Sequence, residues 1–244
     1  MILINDLVKK FGKLTVLDQV NLSLNASKSY AMVGPNGSGK TTIIKCILGM
    51  VRPTAGVIQF KGKDISNEWK YREEIGYMPQ IGRYPENMRI GELIDMMKNI
   101  RQEVKTVDEE LIDAFKLYKI YDKKMHTLSG GTRQKVSASL AFLFHAPVLI
   151  LDEPTAGLDP ISVEILKEKI LHERRMGKLI IITSHILSDL DELATEMIYI
   201  YEGKIQYNNS IQALKEETNE TKLNKAVTTL IRQKELLNSI TEQI

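Results

Sequence analysis

Apolar and polar positions alternate along short stretches near the start of the chain, which is the pattern of half-buried β-strands. The clearest stretches are Ile2–Leu7, Val20–Leu24 and Val57–Phe60. Turn residues such as Gly12 and Gly62 separate them. This alternation predicts antiparallel strands in the N-terminal part of the chain.

The spacing of apolar positions changes to that of a helix in the middle of the chain. Helical periodicity is found at Leu93–Ile100, Glu109–Tyr118 and Thr132–Phe144. Because strand and helix signals alternate on both sides of this region, it is predicted to be a helical subdomain inserted at about residues 82–145.

A strand, a helix and a second strand follow the insertion. The short apolar runs Val148–Leu151 and Leu179–Thr183 are typical of buried strands. The helix between them, Ile161–Met176, is predicted to begin with Asp159 as its N-cap and Pro160 in its first position. This order predicts a parallel sheet with a right-handed crossover.

The end of the chain combines a hairpin signal with a polar tail. Ile198–Tyr201 and Lys204–Tyr207 are separated by the turn Glu202-Gly203 and predict a β-hairpin. The polar stretch 208–244 is predicted to be helical and peripheral. We therefore expect one domain over residues 1–207, followed by a C-terminal helical extension.

A glycine-rich segment lies between a predicted strand, Tyr30–Val33, and a helical segment, Ile43–Leu48, and matches the phosphate-binding pattern G-x-x-x-x-G-K-[ST]. Its residues are Gly34, Pro35, Asn36, Gly37, Ser38, Gly39, Lys40, Thr41 and Thr42. Glycines let backbone N–H groups approach phosphates, and the helix N-terminus adds the positive end of its dipole. Lys40 is expected to reach the β- and γ-phosphates, and Thr41 to bind Mg²⁺. The chain is therefore predicted to bind a nucleoside triphosphate.

Two carboxylates, Asp152 and Glu153, directly follow the strand Val148–Leu151, and open α/β sheets bind ligands at the carboxyl ends of their strands. Because successive strand side chains point to opposite faces, the two acids are expected to do different work. Asp152 is predicted to face Mg²⁺, and Glu153 to polarise an attacking water as general base. Without the phosphate loop, the pair also fits a helix-capping acid beside a surface salt bridge.

Ser129, Gly130 and Gly131 precede a helical segment, where they suit either a plain helix cap or an anion site. Together with the phosphate loop and Asp152-Glu153-Pro154, they make the chain resemble the nucleotide-binding domain of ATP-binding cassette (ABC) proteins up to about Tyr207. The resemblance implies an α/β fold with a P-loop NTPase (RecA-like) core, an antiparallel β subdomain and an inserted α-helical subdomain. It also implies that the chain hydrolyses ATP.

The resemblance assigns roles to four further residues. Phe11 is similar to the aromatic residue that stacks on adenine, and Gln80 to the Q-loop residue that contacts Mg²⁺ and water. Asp159 is similar to the D-loop aspartate, and His185 to the switch histidine that contacts the γ-phosphate. The residues alone also allow simpler interpretations, namely a core position for Phe11, a solvated turn for Gln80, a helix N-cap for Asp159 and a structural histidine after a strand for His185.

In the family, two such domains pair head to tail, so that the Ser-Gly-Gly element of each completes the ATP site of the other. Ser129, Gly130 and Gly131 are therefore expected to contact the nucleotide of a second, identical subunit. One departure from the family pattern is Thr132, which stands where a glutamine is usual. ATP would then hold the two subunits together and hydrolysis would release them.

Composition limits the possible partners and the cellular location of the protein. A net charge of +2, from 33 basic and 31 acidic residues, gives no global signal for nucleic acid as a partner. The single cysteine, Cys46, excludes an intramolecular disulfide and fits a reducing compartment. No apolar run approaches the roughly 18 residues that a membrane span needs, and no signal-peptide pattern is visible at the start. A cytoplasmic location is expected.

Without a membrane span, a transporter component must act on a separate integral membrane permease, so we expect the chain at the cytoplasmic face of the cell membrane. In the family, the segment after the Q-loop residue receives a short helix of the permease. Here Ile81–Met88, followed by Ile94, Met96 and Met97, offers apolar side chains for such a surface. The same methionines also fit core positions of the helical subdomain.

Three segments look most like the ATPase of the copper-processing system that matures nitrous-oxide reductase: Tyr77–Gln80, Arg83–Met88 and Leu128–Lys135. The chain has no evident copper site, because the adjacent Met96 and Met97 would point to different helix faces. ATPases of this superfamily that act on DNA carry long coiled-coil insertions, and those that act on ribosomes usually carry two cassettes. This chain has neither feature, which argues against a role on DNA or ribosomes. A second alternative stays open, namely that the ATPase drives a membrane protein mechanically without transporting a solute.

Overall fold

Two β-sheets form the frame of the molecule. The computed structural model describes the backbone of residues 1–241 and the side chains of residues 1–234. The strands are β1 (Ile2–Phe11), β2 (Leu14–Leu24), β3 (Ser29–Val33), β4 (Ala55–Phe60), β5 (Lys63–Asp64), β6 (Ile75–Met78), β7 (Val148–Asp152), β8 (Leu179–Thr183), β9 (Glu196–Tyr201) and β10 (Lys204–Ser210). The helices are α1 (Lys40–Ile47), α2 (Ile90–Ile100), α3 (Glu110–Ala114), α4 (Gly130–Phe142), α5 (Pro160–Arg175), α6 (Leu187–Leu193), α7 (Ile211–Thr218) and α8 (Leu223–Thr241).

The larger sheet has the strand order β10-β9-β3-β8-β7-β6, in which only the edge strand β10 runs antiparallel to its neighbour. The smaller sheet is antiparallel, in the order β2-β1-β4-β5. The parallel sheet and the antiparallel N-terminal strands agree with the sequence predictions. β1 and β2 are longer than predicted, because bulges let their pairing continue to Phe11 and Leu14.

The central strands are apolar on both faces because each face packs against a different core. Along β7, Leu149 and Leu151 belong to a core shared with α4 to α8, whereas Val148 and Ile150 face α1 and the antiparallel sheet. This sorting follows from the two-residue period of a strand. It leaves the carboxyl ends of β3, β7 and β8 together at one edge of the sheet.

The helices α2, α3 and α4 lie within the predicted insertion, but the helix predicted at Glu109–Tyr118 is wrong in length. α3 ends at Ala114, and Lys116 adopts a left-handed conformation with φ of 55°. A short 3₁₀ turn, Leu117–Ile120, follows. The break lets Leu117, which would lie on another side of a continuous helix, become fully buried.

The C-terminal stretch differs from its prediction in two respects. The predicted boundary between residues 207 and 208 falls inside β10, because Asn208 and Asn209 pair with β9 through their backbones. The extension is not peripheral, since Leu223 and Ala226 of α8 are buried in the same core as α4. Residues 242–244 of the predicted helical tail lie outside the described residues. No helix in the described part of the chain has both the length and the apolar character to cross a membrane.

Candidate active site

A cavity of about 400 Å³ lies where β3, β7 and β8 end at the sheet edge. Most of the residues predicted for nucleotide chemistry line it. They are Asn36, Gly37, Ser38, Gly39, Lys40, Thr41, Thr42, Gln80, Asp152, Glu153 and His185. The parallel strands bring these residues together although they are distant in sequence.

The phosphate loop connects β3 to α1 and needs glycine at two points. A Cβ on Gly34 would overlap the Ile200 carbonyl, and one on Gly39 would lie 2.6 Å from a methyl of Leu17. Gly39 is the N-cap of α1 with φ of 108°, and no side chain caps this helix. The first N–H groups of α1 are therefore available to an anion.

Two side chains in the loop fit the binding of a triphosphate. Ser38 is almost fully buried, and its Oγ has no hydrogen-bond partner among the described residues. Lys40 Nζ donates to the carbonyls of Gly34, at 2.6 Å, and Pro35, at 2.9 Å. Burial lowers the pKa of Lys40 from its ordinary value, and the charges of Glu153 and Asp152 partly oppose that shift. Phosphate oxygens would supply an acceptor to the Ser38 hydroxyl and a counter-charge to the Lys40 ammonium.

Asp152 is oriented by a residue of the neighbouring strand. In the parallel register, Asp152 of β7 lies opposite Thr183 of β8, and the Thr183 hydroxyl donates a short hydrogen bond to the Asp152 carboxylate. Sequence reasoning assigned no role to Thr183. A sequence signal for Thr183 exists, because the apolar runs of β7 and β8 both end in a polar residue. If the two runs are paired as parallel strands, these polar residues lie side by side at the sheet edge.

Glu153 turns into the cavity through a left-handed backbone conformation with φ of 53°. Its N–H donates to the Thr183 carbonyl at 3.1 Å. The two acids line the same cavity, and their different roles stay predictions. The chain leaves the extended conformation at Glu153, and this turn rather than the pleat sets the direction of the carboxylate.

His185 follows β8 and contacts the Glu153 carboxylate twice. The backbone N–H of His185 donates to Glu153 Oε2 at 3.3 Å, and His185 Nε2 lies 3.3 Å from Glu153 Oε1. The imidazole is 57% exposed, whereas the Glu153 side chain is 10% exposed. A buried carboxylate thus faces the cavity with a largely exposed imidazole beside it.

Seven predicted contact residues lie outside the cavity lining, and two of them are Gly34 and Pro35 at the start of the phosphate loop. Phe11 is half exposed, with Lys9 Nζ 4.6 Å from its ring centroid, so it is not a core residue. Leu14 and Val16 at the start of β2 provide the apolar lining instead. Sequence reasoning missed both residues, because apolar positions in an alternating strand give no local sign that they line a binding site.

The other four are Ser129, Gly130, Gly131 and Asp159, and they belong to two helix starts. Ser129 caps α4 by accepting from the Thr132 N–H at 3.2 Å, and the Thr132 hydroxyl bonds Ser129 Oγ at 2.9 Å. Asp159 caps α5 by accepting from the Ser162 N–H at 3.0 Å and pairs with Lys135 at 2.7 Å. Both predicted N-caps are confirmed, and the nucleotide contacts of these residues stay predictions.

Comparison with known proteins agrees with this geometry. The family model described as ABC transporter matches residues 17–156, which span the phosphate loop, the Ser129 helix start and the Asp152-Glu153 pair. The chain belongs to the ABC transporter family. It is 35% identical over 207 residues to the lantibiotic transport ATP-binding protein SrtF of Streptococcus pyogenes, covering 84% of this chain and 89% of that protein. It is 31% identical over 204 residues to the bacitracin transport ATP-binding protein BcrA of Bacillus licheniformis, covering 82% and 66%.

Solved structures of ABC cassettes share the fold. The ATP-binding subunit of an ABC transporter has a TM-score of 0.85 at 23% identity and covers 95% of this chain and 99% of that one. A dimeric cassette in a post-hydrolysis state with ADP and Pi has a TM-score of 0.74 at 19% identity, covering 86% and 98%. The predicted P-loop NTPase fold is confirmed. As an ABC transporter ATP-binding subunit, the chain is an ATP hydrolase.

Proposed function

We propose that this ABC ATPase drives export through a separate integral membrane permease, by forming a head-to-tail dimer around ATP. The observation that carries export is the similarity to the Nod factor export ATP-binding protein I of Burkholderia lata, 30% identical over 80% of this chain, beside the lantibiotic and bacitracin transport ATP-binding proteins. The copper-processing role predicted from three sequence segments has no support from these relatives. We place the subunit at the cytoplasmic face of the cell membrane, where a permease would hold it.

In each subunit the phosphate loop binds the triphosphate, with Lys40 on the β- and γ-phosphates. Thr41, Gln80 and Asp152 would hold Mg²⁺, which would neutralise charge on the transferred phosphoryl group. No group of three or more acidic, histidine or cysteine side chains among the described residues could hold a metal alone. A magnesium site completed by phosphate oxygens fits a single carboxylate with hydroxyl and amide partners.

Hydrolysis needs a base beside the γ-phosphate, and Glu153 has the position for it. Its carboxylate would accept a proton from water as the water oxygen bonds to the γ-phosphorus and the bond to the bridging oxygen breaks, giving ADP and phosphate. His185 would orient the γ-phosphate and the Glu153 carboxylate through the contacts described above. Phe11 would stack on the adenine ring at the outer end of the site.

A second copy would complete the site. Ser129, Gly130 and Gly131 do not line their own cavity, although they begin a helix whose N-terminus suits a phosphate. We assign these residues, with Asp159, to the nucleotide of the partner subunit. Two ATP molecules would then lie between two identical chains.

The surface that would receive the permease is a largely apolar groove of about 340 Å³ beside Tyr77, Arg83 and Met97. Of the residues predicted for docking, Ile94 is fully buried and belongs to the core. Met97 lines the groove while also packing against that core, so both interpretations of this methionine hold in part. Ile81 is 67% exposed at the rim of the helical region.

Affinity purification from native membranes in mild detergent, with identification of what co-purifies, tests the proposal. A stoichiometric polytopic membrane protein is the expected result, and the neighbouring genes would show whether it belongs to an export or a copper-processing system. Recovery with ribosomes or DNA and without a membrane partner would overturn the transport role while leaving the ATPase site intact.

A further inference from the structure

The first two turns of α4 hold the segment 153–159 at three points. A Cβ on Gly131 would lie 2.6 Å from the Gly157 carbonyl, so the two backbones are in direct contact. Gln134 Nε2 donates to the Glu153 carbonyl at 3.2 Å. Lys135 pairs with Asp159. The helix that begins at Ser129 is thus joined to the turn that carries the Glu153 carboxylate.

We propose that Gln134 is a positioning residue that sets the Glu153 carboxylate and couples it to the Ser129 helix start. Gln134 is 7% exposed, and its amide reaches past the helix surface to a backbone carbonyl 19 residues away in sequence. A buried amide is costly unless it is hydrogen-bonded. Gln134 therefore has a specific partner rather than a general packing role.

The backbone at Glu153 needs such support because residues other than glycine disfavour the left-handed region. Its N–H is held by Thr183 at 3.1 Å, and its carbonyl accepts from the Ala156 N–H and from Gln134 Nε2, both at 3.2 Å. The two hydrogen bonds use both acceptor positions of that carbonyl. Without Gln134, the Ala156 N–H is the one donor among the described residues that still fixes the Glu153 carbonyl, and the carboxylate loses its fixed direction relative to His185.

This inference rests on the proposed function, in which Ser129, Gly130 and Gly131 bind the nucleotide of a second copy. A displacement of α4 when the partner's ATP binds would then reach Glu153 through Gln134. Each site would sense whether the other holds ATP, so hydrolysis would depend cooperatively on ATP concentration. Gln134 regulates the same site rather than touching the reacting atoms.

The test compares three variants of the full chain. Gln134→Met keeps the length of the side chain and removes the donor. Gln134→Glu places a carboxylate against the Glu153 carbonyl. Ser139→Ala is the matched control, because Ser139 is a buried polar residue of α4 whose hydroxyl donates to the Lys135 carbonyl of its own helix. Thermal unfolding of each variant shows whether it is folded under the assay conditions.

For Gln134→Met we expect kcat to fall by about 10- to 100-fold, because displacement of a reacting group by about 1 Å has effects of that size. KM for ATP should stay within about three-fold, since binding energy common to substrate and transition state is not removed. The Hill coefficient should fall towards one, and Ser139→Ala should keep both values. For Gln134→Glu, activity relative to the unchanged protein should rise from about pH 8 to pH 6, because a protonated carboxyl again donates to the carbonyl.

A Gln134→Met variant that is folded and loses no more kcat than Ser139→Ala would overturn the inference, and so would a relative activity of Gln134→Glu that is independent of pH. Glu153→Gln, measured in the same series, separates this from failure of the proposed function. Normal turnover in Glu153→Gln removes the base assignment itself. If Glu153→Gln is inactive and Gln134→Met is fully active, Glu153 keeps its assignment as the base and only the role of Gln134 is refuted.

Discussion

Glu153 owes its position to its neighbours in space rather than to its strand. The left-handed turn directs its carboxylate towards His185, and Thr183 holds both the Glu153 N–H and the Asp152 carboxylate. Pairs of adjacent carboxylates are easy to find in a sequence. What distinguishes these two acids is the Thr183 hydroxyl of the adjacent strand. It donates to the Asp152 carboxylate and accepts from the Glu153 backbone N–H.

Replacing Glu153 with Gln removes the proposed base while keeping the shape of the side chain and one of its two acceptor oxygens. We expect ATP hydrolysis to fall by at least about 100-fold, the usual contribution of a general base. ATP binding should persist, so that ATP traps a dimer that size-exclusion chromatography separates from the monomer. Lys40→Met is the comparison, since losing its charge should weaken ATP binding itself and give no trapped dimer.

Gly131 and Gly130 allow a second residue-level prediction because they are adjacent but differently placed. In Gly131→Ala, the new methyl would meet the Gly157 carbonyl, and we expect a loss of about 1–3 kcal/mol in the free energy of unfolding. Nothing lies within 4 Å of a Cβ on Gly130, so Gly130→Ala should be neutral or slightly stabilising in the monomer. Urea denaturation measures both.

The same pair tests the partner contact. Under the proposed head-to-tail arrangement, Gly130→Ala leaves the monomer stable but should weaken ATP-dependent dimerisation. The reason is that the unoccupied space beside the Gly130 Cα would face the second subunit, where a methyl group would intrude. Equal stability of the two variants would contradict the close approach at Gly157, and an unimpaired dimer of Gly130→Ala would contradict the proposed interface.

At the scale of whole elements, an ion network joins α5 to the start of α3. Lys169 of α5 is 4% exposed, and its Nζ lies 2.6 Å from carboxylate oxygens of Asp108 and Glu110 and 2.9 Å from Glu173. Burial works to lower the pKa of Lys169, but these hydrogen bonds outweigh it and raise the pKa above its ordinary value. Burial likewise opposes ionisation of Glu173, and hydrogen bonds from Lys178 and Lys169 lower its pKa on balance.

Lys169→Met should destabilise the protein by about 3–5 kcal/mol at neutral pH, because buried carboxylates lose their cation. Because the pKa of Glu173 is lowered in the folded state, its ionisation stabilises the fold at pH values above the ordinary glutamate pKa of about 4.3. That contribution disappears as the pH falls through the folded-state pKa. The difference between variant and unchanged protein should therefore shrink on acidification, since protonation relieves the unpaired acids. Urea denaturation at neutral and acidic pH measures this.

Lys204→Met is the matched control, because Lys204 pairs with Asp18 at 3.2 Å while its side chain is 59% exposed. Exposed pairs contribute about 0–1 kcal/mol, so this variant should be nearly as stable as the unchanged protein. A Lys169→Met variant with the same small loss would show that the buried network does not hold α5 and α3 together.

For the molecule as a whole, the C-terminal helices are attached to the element that follows His185. Asp191 of α6 accepts from Lys215 Nζ at 2.6 Å and from the Leu223 N–H at 3.1 Å, so it contacts α7 and the first residue of α8. α6 begins at Leu187, two residues after His185. Asp191 thus joins the C-terminal helices to the helix that follows His185 at the active-site edge.

Asp191→Ala should loosen α7 and α8 without removing the ATP site. A lost pair of charge-assisted hydrogen bonds corresponds to about 1–3 kcal/mol, and local opening of the extension should become about ten-fold or more frequent. Hydrogen exchange should therefore rise in residues 211–230 and stay unchanged in β7 and β8. Asp18→Ala, which breaks only the exposed pair with Lys204, is the control, and equal exchange in both variants would refute this attachment.

Features of this protein that depend on a few consecutive residues follow from its sequence alone. The phosphate loop, the N-caps Ser129 and Asp159, and the apolar runs of β7 and β8 were all predictable, because backbone conformation, capping and burial periodicity act over one or two turns of chain. The packing of the whole chain decided which strands are neighbours, and with that the pairing of Thr183 with Asp152. It also decided the break after α3, the burial of α8 and the hydrogen bond from Gln134 to Glu153. These depend on register and packing between distant segments, which the pattern of any one segment does not specify.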